Sequence, residues 1–385
     1  MQTRQIELLH PNIIRWIHSK GWTSLRSIQE DAIVPILEGK DDVIISASTA
    51  SGKTEAAFMP AVTATIRKKA SGIRILYISP LKALINDQQR RLEELCQYTE
   101  IKISAWHGDV SHSSKKKTRE HPEGILLITP ESLESLLINH LSWVTKAMSM
   151  LLYVIIDEFH AFMGSQRGYQ LQSQMHRIEN IIGRRVCRVA LSATFSEAGA
   201  VISYLRPGSS RKCHVIQTRE NSGDTVSIQI KGFEKTILTD DDDENNRSGQ
   251  LEYRIIAEDL FRLLRGSFNL VFCNSRATTE HIASLLEELS KRHHVPNEFF
   301  PHHGSLAKEY RETVEQRLQE GRWPTTAVCT ATLELGIDIS DVSSIAQIES
   351  PSTVSSLRQR LGRAGRRDHR AVLRMFVTET AENNK

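Results

Sequence analysis

The sequence predicts an α/β protein with two tandem lobes, each a parallel sheet flanked by helices. Three observations favour this class: the length of the chain, an alternation of short apolar runs with amphipathic stretches, and a single interruption of that alternation, after which it resumes. A chain of 385 residues accommodates two domains of about 150–200 residues. Near-continuous apolar runs are typical of strands buried on both faces, as in parallel sheets.

The first lobe is expected over residues 1–205. Its predicted strands are apolar runs that each end in a polar or small residue, at 42–46, 73–79, 124–129, 152–157 and 187–192. In open parallel sheets, ligands bind beyond the carboxyl ends of the strands. We therefore expect the functional residues in the loops that follow these runs.

A change of composition separates the two predicted lobes. Residues 206–250 contain Pro-Gly and Asn-Ser-Gly stretches and an acidic run at 240–244, which predict a linker with an acidic loop. Two strand-like stretches, 213–217 and 226–230, lie inside this segment. The strand–helix rhythm restarts at Leu251, so the second lobe is expected over 251–385.

The bulk composition limits the class of protein. The net charge is only +3, so any grip on a polyanion must come from local basic clusters, which occur at 67–69, 115–119, 184–188 and 358–370. The five cysteines form no Cys-x-x-Cys pair, which argues against a zinc or iron–sulfur site. No signal peptide and no apolar run of about 20 residues is present. A cytoplasmic protein without a membrane partner is expected.

A phosphate-binding loop is predicted directly after the first strand. The segment 47–54 reads Ala-Ser-Thr-Ala-Ser-Gly-Lys-Thr and precedes a helical stretch, the context of a Walker A loop. Backbone N–H groups of such a loop and the N-terminus of the following helix favour phosphate binding. The alternative interpretation is a Gly-Lys-Thr that occurs by chance in a loop without a nucleotide. ATP is expected to contact Ser48, Thr49, Ala50, Ser51, Gly52, Lys53 and Thr54, with the Thr54 hydroxyl as a ligand of Mg²⁺.

An acidic pair ends the fourth predicted strand. Asp157 is placed to hold Mg²⁺, and Glu158 to orient and deprotonate the attacking water. Such a pair after an apolar strand is weak evidence alone. A Gly-Lys-Thr loop earlier in the chain makes the combination specific for ATP hydrolysis.

The order of the motifs resembles the superfamily 2 DEAD/DEAH-type helicases over nearly the whole chain. The matching segments include Gln29, the phosphate loop and the segments 79–84, 129–132, 157–160, 192–194, 271–276, 330–338 and 359–366. Within this superfamily the chain is similar to the large-helicase-related (Lhr-like) branch. That similarity rests on 160–161 followed by 167–168, on 302–306 and 333–338, and on Gln359, where a DEAD-box protein usually has His. The resemblance implies two RecA-like lobes with an ATP site in the cleft between them.

The resemblance also implies roles for individual residues around the nucleotide. Gln29 is expected to bind adenine, and Gly336 and Asp338 to contact the nucleotide. Arg363 and Arg366 are expected to act as arginine fingers, with Gln359 as a further catalytic residue. A basic helix that only contacts nucleic acid is the alternative for 363–370. Ser192 and Thr194 are expected to couple hydrolysis to lobe movement.

The same resemblance implies loops that hold the backbone of one nucleic-acid strand. Binding should be largely independent of base sequence and should weaken with salt. The residues implied are Pro80, Leu81, Lys82, Gly108, Thr129, Pro130, Glu131, Ser275, Arg276, His303, Gly304 and Thr330.

Together, these features predict an ATP- and Mg²⁺-dependent helicase or translocase. Its expected partner is single-stranded or tailed duplex nucleic acid, with DNA favoured over RNA. Members of the Lhr-like branch usually continue into a winged-helix domain, so accessory domains or proteins that supply a wedge are also expected. Two alternatives stay open: a DEAD-box-like RNA unwinder that opens duplexes locally, and an ATP-dependent clamp that does not unwind.

Overall fold

The computed structural model describes residues 5–47, 51–192, 197–217, 225–234, 251–334, 342–351, 353–364 and 370–379. The chain divides into two compact units that are each continuous in sequence, Met1–Arg219 and Glu220–Lys385. The division falls inside the 206–250 segment that the sequence predicts as a linker.

The first unit is built on a seven-stranded sheet in which all neighbouring strands are parallel. Its strands are β1 (Asp42–Ser46), β2 (Gly72–Ile78), β3 (Ile103–Trp106), β4 (Glu123–Ile128), β5 (Tyr153–Ile156), β6 (Cys187–Ser192) and β7 (Cys213–Gln217). They lie in the order β3-β4-β2-β5-β6-β1-β7. The predicted parallel sheet is confirmed.

Helices cover both faces of this sheet. They are α1 (Pro11–Ser19), α2 (Ser27–Glu38), α3 (Lys53–Arg67), α4 (Lys82–Leu95), α5 (His112–Glu120), α6 (Pro130–Asn139), α7 (Leu141–Ala147), α8 (Gln166–Ile182) and α9 (Ala198–Leu205). Alternate residues of β1 enter two separate apolar clusters: Val43 and Ile45 pack with α1–α3, and Ile44 packs with α6–α8. Because both faces are buried, the ligand-binding edge is left to the loops beyond the strand ends.

The second unit is built on a six-stranded sheet, again with parallel neighbours. Its strands are β8 (Thr225–Glu234), β9 (Phe268–Phe272), β10 (Phe299–His302), β11 (Thr325–Cys329), β12 (Ser344–Ile348) and β13 (Arg370–Glu379). Their order is β10-β11-β9-β12-β13-β8. The helices are α10 (Leu251–Leu264), α11 (Arg276–Arg292), α12 (Lys308–Glu320) and α13 (Val354–Leu361).

The two strand-like stretches inside 206–250 belong to different sheets. Strand β7 pairs with β1 at one edge of the first sheet, and β8 pairs with β13 at one edge of the second. Within the described ranges, no helix has both the length and the apolar composition needed to cross a bilayer.

Candidate ATP and nucleic-acid sites

The phosphate loop is shaped by a glycine that no other residue replaces without strain. Gly52 precedes α3 with a φ of 86°, a left-handed conformation that glycine adopts without steric cost. A Cβ at this position would lie 2.4 Å from Nε2 of Gln29. The buried amide of Gln29, predicted to bind adenine, therefore packs directly on the loop. Its Oε1 accepts the N–H of Arg26 at 3.0 Å.

Two polar contacts hold the start of α3. Nζ of Lys53 donates to the carbonyl oxygen of Ala47 at 2.6 Å, so the lysine bridges the two ends of the loop. Nε2 of Gln88 donates to Oγ1 of Thr54 at 2.9 Å and orients that hydroxyl. Ser48, Thr49 and Ala50, the remaining predicted loop residues, lie outside the described residues, and Ser51 directly precedes Gly52.

The acidic pair lies at the carboxyl end of β5 with little access to water. Asp157 is 7% exposed and Glu158 is 8% exposed. The hydroxyl of Tyr77 donates to Oδ2 of Asp157, and the N–H of Glu158 donates to Oδ1 at 2.9 Å. Glu158 has a φ of 45°, which is uncommon for a residue other than glycine. Such backbone is concentrated at functional sites.

The electrostatics of this pair suit a divalent cation. Burial, followed by the charge of Glu158, raises the pKa of Asp157 to about 6, against the hydrogen bond from Tyr77 and the charge of Lys53. Burial and Asp157 also raise the pKa of Tyr77 well above its usual value. Two desolvated carboxylates repel each other unless further positive charge is supplied. Oxygen ligands such as Asp157 and the Thr54 hydroxyl fit Mg²⁺.

A polar chain leads from the acidic pair to the end of β6. Nε2 of His160 lies 3.6 Å from Oε2 of Glu158, and its Nδ1 lies 3.3 Å from Oγ of Ser192. This connection links Ser192 to the carboxylate of Glu158 through His160. Thr194, expected to share the coupling role, lies outside the described residues.

The predicted nucleic-acid residues of the first unit lie at the carboxyl ends of three adjacent strands, β2, β4 and β3. They are Pro80, Leu81, Lys82, Gly108, Thr129, Pro130 and Glu131. Nζ of Lys82 binds Oδ1 of Asp109 at 2.8 Å, and a Cβ on Gly108 would lie 3.0 Å from the same Nζ. Oγ1 of Thr129 accepts the N–H of Ser132 at 3.4 Å and caps α6.

The predicted residues of the second unit follow β9, β10 and β11, again adjacent strands. Ser275 caps α11, which begins at Arg276, by accepting the N–H of Thr278 at 3.0 Å. The imidazole of His303 is 2% exposed and lies 2.9 Å from Oε1 of Glu280. Any contact from this segment would therefore use its backbone and Gly304. Thr330 directly follows β11.

Near α13, the structure places Gln359 and Arg363 in buried positions. Nε and Nη2 of Arg363 donate to the carbonyl oxygen of Glu334 at 3.3 and 2.9 Å. The predicted partners Gly336, Asp338 and Arg366 lie outside the described residues.

Comparison with known proteins identifies the family. The model of the DEAD/DEAH box helicase matches residues 26–201, and the model of the helicase conserved C-terminal domain matches residues 254–368. The chain belongs to the superfamily 2 DEAD/DEAH-type helicases. Both matches cover the motif-bearing parts of the two units.

Several proteins similar to this chain are helicases of the Lhr branch. The ATP-dependent helicase Lhr-Core of Methanocaldococcus jannaschii is 30% identical over 380 residues, which cover 94% of this chain and 43% of that protein. The Lhr helicase/uracil glycosylase of Escherichia coli is 30% identical over 405 residues, covering 90% and 26%. The structure of Mycobacterium smegmatis helicase Lhr bound to ssDNA and AMP-PNP matches with a TM-score of 0.78 and 27% identity, covering 98% and 48%. The chain thus spans less than half the length of these relatives.

Three residues of this helicase enter the sites without having been predicted there. Tyr77 and Gln88 hold Asp157 and Thr54. Arg167 of α8 donates from Nε to Oε1 of Glu131 at 2.8 Å and from Nη2 to the carbonyl of Pro80 at 2.9 Å. It therefore ties two of the predicted nucleic-acid loops together. The Arg167-Gly168 pair is visible in the sequence as a mark of the Lhr-like branch, but its contacts are not.

Proposed function

We propose that this chain is the helicase core of a DNA-directed motor, which hydrolyses ATP and couples hydrolysis to movement on, or unwinding of, nucleic acid. The observation that carries the proposal is the buried pair of Asp157 and Glu158 beside the Gly52-Lys53-Thr54 loop. Two desolvated carboxylates next to a helix N-terminus form a site for a metal-bound triphosphate. The relatives named as ATP-dependent helicases support the same reaction.

Residues of the first unit bind and orient the nucleotide. Lys53 exchanges its contact with the carbonyl of Ala47 for oxygens of the β- and γ-phosphates, and Gln29 binds adenine through its amide. Thr54 and Asp157 would hold Mg²⁺, which would compensate the charge that develops on the phosphates. The nucleotide contacts are completed by Ser48, Thr49, Ala50, Ser51, Gly52, Gly336 and Asp338.

Glu158 then carries the proton of the reaction. It orients a water molecule towards the γ-phosphorus and takes one of its protons as the new P–O bond forms. The bond from the γ-phosphorus to the oxygen shared with the β-phosphate breaks, and ADP leaves with the electron pair. Arg363 and Arg366 supply positive charge to the γ-phosphate oxygens, and Gln359 belongs to the same catalytic group.

The strand is held through its phosphates. Backbone amides, hydroxyls and the cation of Lys82 meet phosphates at loop tips without reading bases. The M. smegmatis relative was solved with ssDNA, and this supports single-stranded or tailed duplex DNA ahead of RNA as the partner. Accessory domains or proteins would supply a wedge. The cytoplasmic location stays a prediction.

The test compares ATPase rates with and without oligonucleotide in the wild-type chain, Glu158→Gln and Lys53→Ala. Wild type should be stimulated, and Glu158→Gln should lose about 10²-fold or more of the rate, as expected for a general base, while still binding ATP. Glu38→Gln, an exposed substitution at the end of α2, is the matched control. Full stimulated activity in Glu158→Gln would contradict the proposal.

A strand-separation panel resolves the alternatives. It uses DNA, RNA and hybrid duplexes with 3′ or 5′ tails. Tail-dependent opening of DNA or hybrid duplexes supports the motor. Opening confined to RNA duplexes, without dependence on tail polarity, indicates the local RNA unwinder. Stimulated ATPase without opening of any duplex indicates the clamp.

A further inference from the structure

Helix α5 is fixed in place although none of its side chains is buried. Oγ of Ser111 accepts the N–H of Ser114 at 3.2 Å and caps its first turn. Nε1 of Trp143 donates to the carbonyl oxygen of Arg119 at 2.9 Å, and the Trp143 ring stacks on Trp106 with centroids 5.9 Å apart. A nine-residue helix is marginal in isolation. Because no side chain of the helix is buried, its position depends on these contacts near its two ends.

That surface carries unbalanced positive charge. The helix carries four basic residues, Lys115, Lys116, Lys117 and Arg119, and one acidic residue, Glu120. Nζ of Lys116 lies 3.9 Å from Oε1 of Glu120. In the described part of the chain, Lys115, Lys117 and Arg119 have no carboxylate partner. Three adjacent lysines repel one another, so a bound polyanion would relieve that repulsion as well as add attraction.

The first unit has two other basic clusters, at 67–69 and 184–188. They differ from α5 because an arginine of each donates hydrogen bonds to backbone carbonyls. Nη2 of Arg67 donates to the carbonyl of Leu8 at 2.8 Å. Nη2 of Arg184 donates to the carbonyls of Ser149 and Leu151. The lysines of α5 make no such contact among the described residues, so their charge is available to a ligand.

The start of α5 continues the edge that carries the proposed nucleic-acid loops, and the helix runs from there towards the amino end of β4. It follows β3, the outermost strand, and the loop before it is tied to α4 twice: Asp109 binds Lys82 at 2.8 Å, and Nε2 of His107 lies 2.9 Å from Oδ1 of Asn86. Nine residues at 1.5 Å rise give a helix about 13 Å long. This length matches about four phosphate steps of one duplex strand.

We infer that α5 binds the phosphate backbone of nucleic acid beyond the strand segment held by the loops around Lys82 and Gly108. The inference rests on the proposed function, since it extends the same binding path. A membrane surface does not fit, because a helix that lies on lipid needs an apolar face with Trp, Phe or Leu and α5 has none. Point charges without exposed aromatic groups also predict no base preference.

The test uses the full chain with Lys115, Lys116 and Lys117 all changed to Gln. The matched control changes Lys40, Lys68 and Lys69 to Gln, which removes the same charge from exposed positions before β1 and β2, at the opposite ends of the strands. Affinity for single-stranded DNA of about 6 to 20 nucleotides is measured by fluorescence anisotropy at several salt concentrations. Circular dichroism checks that both variants are folded.

The α5 variant should reduce the salt slope of log K by about 2, since each phosphate contact contributes about 0.7 for single strands. The loss should grow with oligonucleotide length, and the control should keep the wild-type slope. Equal salt slopes for the two triple variants would overturn the inference about α5. If the wild-type chain still binds DNA in that case, the proposed function is unaffected. A wild-type chain that binds no oligonucleotide of any length would overturn the proposed function itself.

Discussion

Arg360 donates two hydrogen bonds to the same carboxylate oxygen of Glu334, from Nε at 3.0 Å and from Nη2 at 2.9 Å. The side chains are 5% and 8% exposed, and Nη1 of Arg360 donates to Oε1 of Gln347. Arg363 donates to the backbone carbonyl of the same glutamate. Glu334 therefore holds two arginines, one through its carboxylate and one through its main chain.

Glu334→Gln should destabilise the second unit and slow ATP hydrolysis. Breaking a buried ion pair leaves an uncompensated charge and costs about 3–5 kcal/mol. Because Arg363 bonds to the main chain of Glu334, a backbone shift that follows loss of the carboxylate pair should lower the stimulated kcat while the KM for ATP changes little. Urea unfolding and steady-state ATPase measure the two effects.

Two further variants separate stability from positioning. Glu312→Gln on α12 is an exposed control, expected within about 0.5 kcal/mol of wild type. Replacing the pair with Glu334→Leu and Arg360→Met should recover much of the stability, because apolar replacement of both partners is often neutral. Recovery of full ATPase in this double variant would show that the pair does not position Arg363.

Arg167→Met should weaken nucleic-acid binding without changing the KM for ATP. The side chain joins Glu131 to the carbonyl of Pro80, so its loss frees two loops that we propose hold the strand. The pair is largely exposed, and the expected loss is about fivefold in Kd, or ~1 kcal/mol. Arg177→Met is the matched control, since it removes another arginine–glutamate pair between α8 and α6. Equal effects of the two substitutions would exclude a specific role for Arg167.

Gly52→Ala should abolish nucleotide binding. Its φ of 86° is unfavourable for any Cβ, and that Cβ would meet Nε2 of Gln29 at 2.4 Å. Gly183→Ala separates the two causes, since it has a φ of 69° with no atom within 4 Å of the added Cβ. The control should lose about 1–2 kcal/mol of stability and bind nucleotide normally. Titration with a fluorescent ATP analogue gives the answer, and normal binding by Gly52→Ala would refute the prediction.

Acid should weaken the first unit through Glu179. Burial by itself raises the pKa of this carboxyl, but hydrogen bonds from Arg206 and the charge of Arg188 outweigh it and lower the pKa below 4.5. A lowered folded-state pKa means stabilisation that is fully present above about pH 4.5 and is lost as the pH falls through the folded value.

Glu179→Gln tests this linkage. It should cost about 3–5 kcal/mol at neutral pH, because Arg188 and Arg206 are left buried without their shared partner. It should also flatten the loss of stability below pH 4.5. Urea unfolding followed by tryptophan fluorescence suits this test, since Trp16, Trp22, Trp106 and Trp143 all lie in the first unit. A wild-type and a Glu179→Gln chain with parallel acid profiles would contradict the assignment.

The parallel α/β fold could be predicted because its central strands are recognisable from short segments of the sequence. β1 and β6 are largely apolar runs, and the structure gives both of them the predicted bounds. β3 and β10 were not predicted, and both are four-residue strands at the outer edge of their sheets. An edge strand is half covered, so its sequence lacks a long apolar run; β10 also contains Pro301.

Some residues of the candidate site can likewise be predicted from the sequence, and others cannot. Lys53, Asp157 and Glu158 lie in short segments whose spacing is readable along the chain. Tyr77 reaches Asp157 across 80 positions, and Arg167 reaches Pro80 across 87. Such contacts arise from strand order, which a single sequence does not encode as a pattern. The burial of His303 and its contact with Glu280 are likewise not visible as a sequence pattern.

The placement of β7 and β8 has a consequence for how the protein can be divided. β7 ends at Gln217 and β8 begins at Thr225, and each is the outermost strand of its own sheet. A single break between them leaves the strand ladders of the described residues intact. The two halves are therefore expected to fold as separate polypeptides.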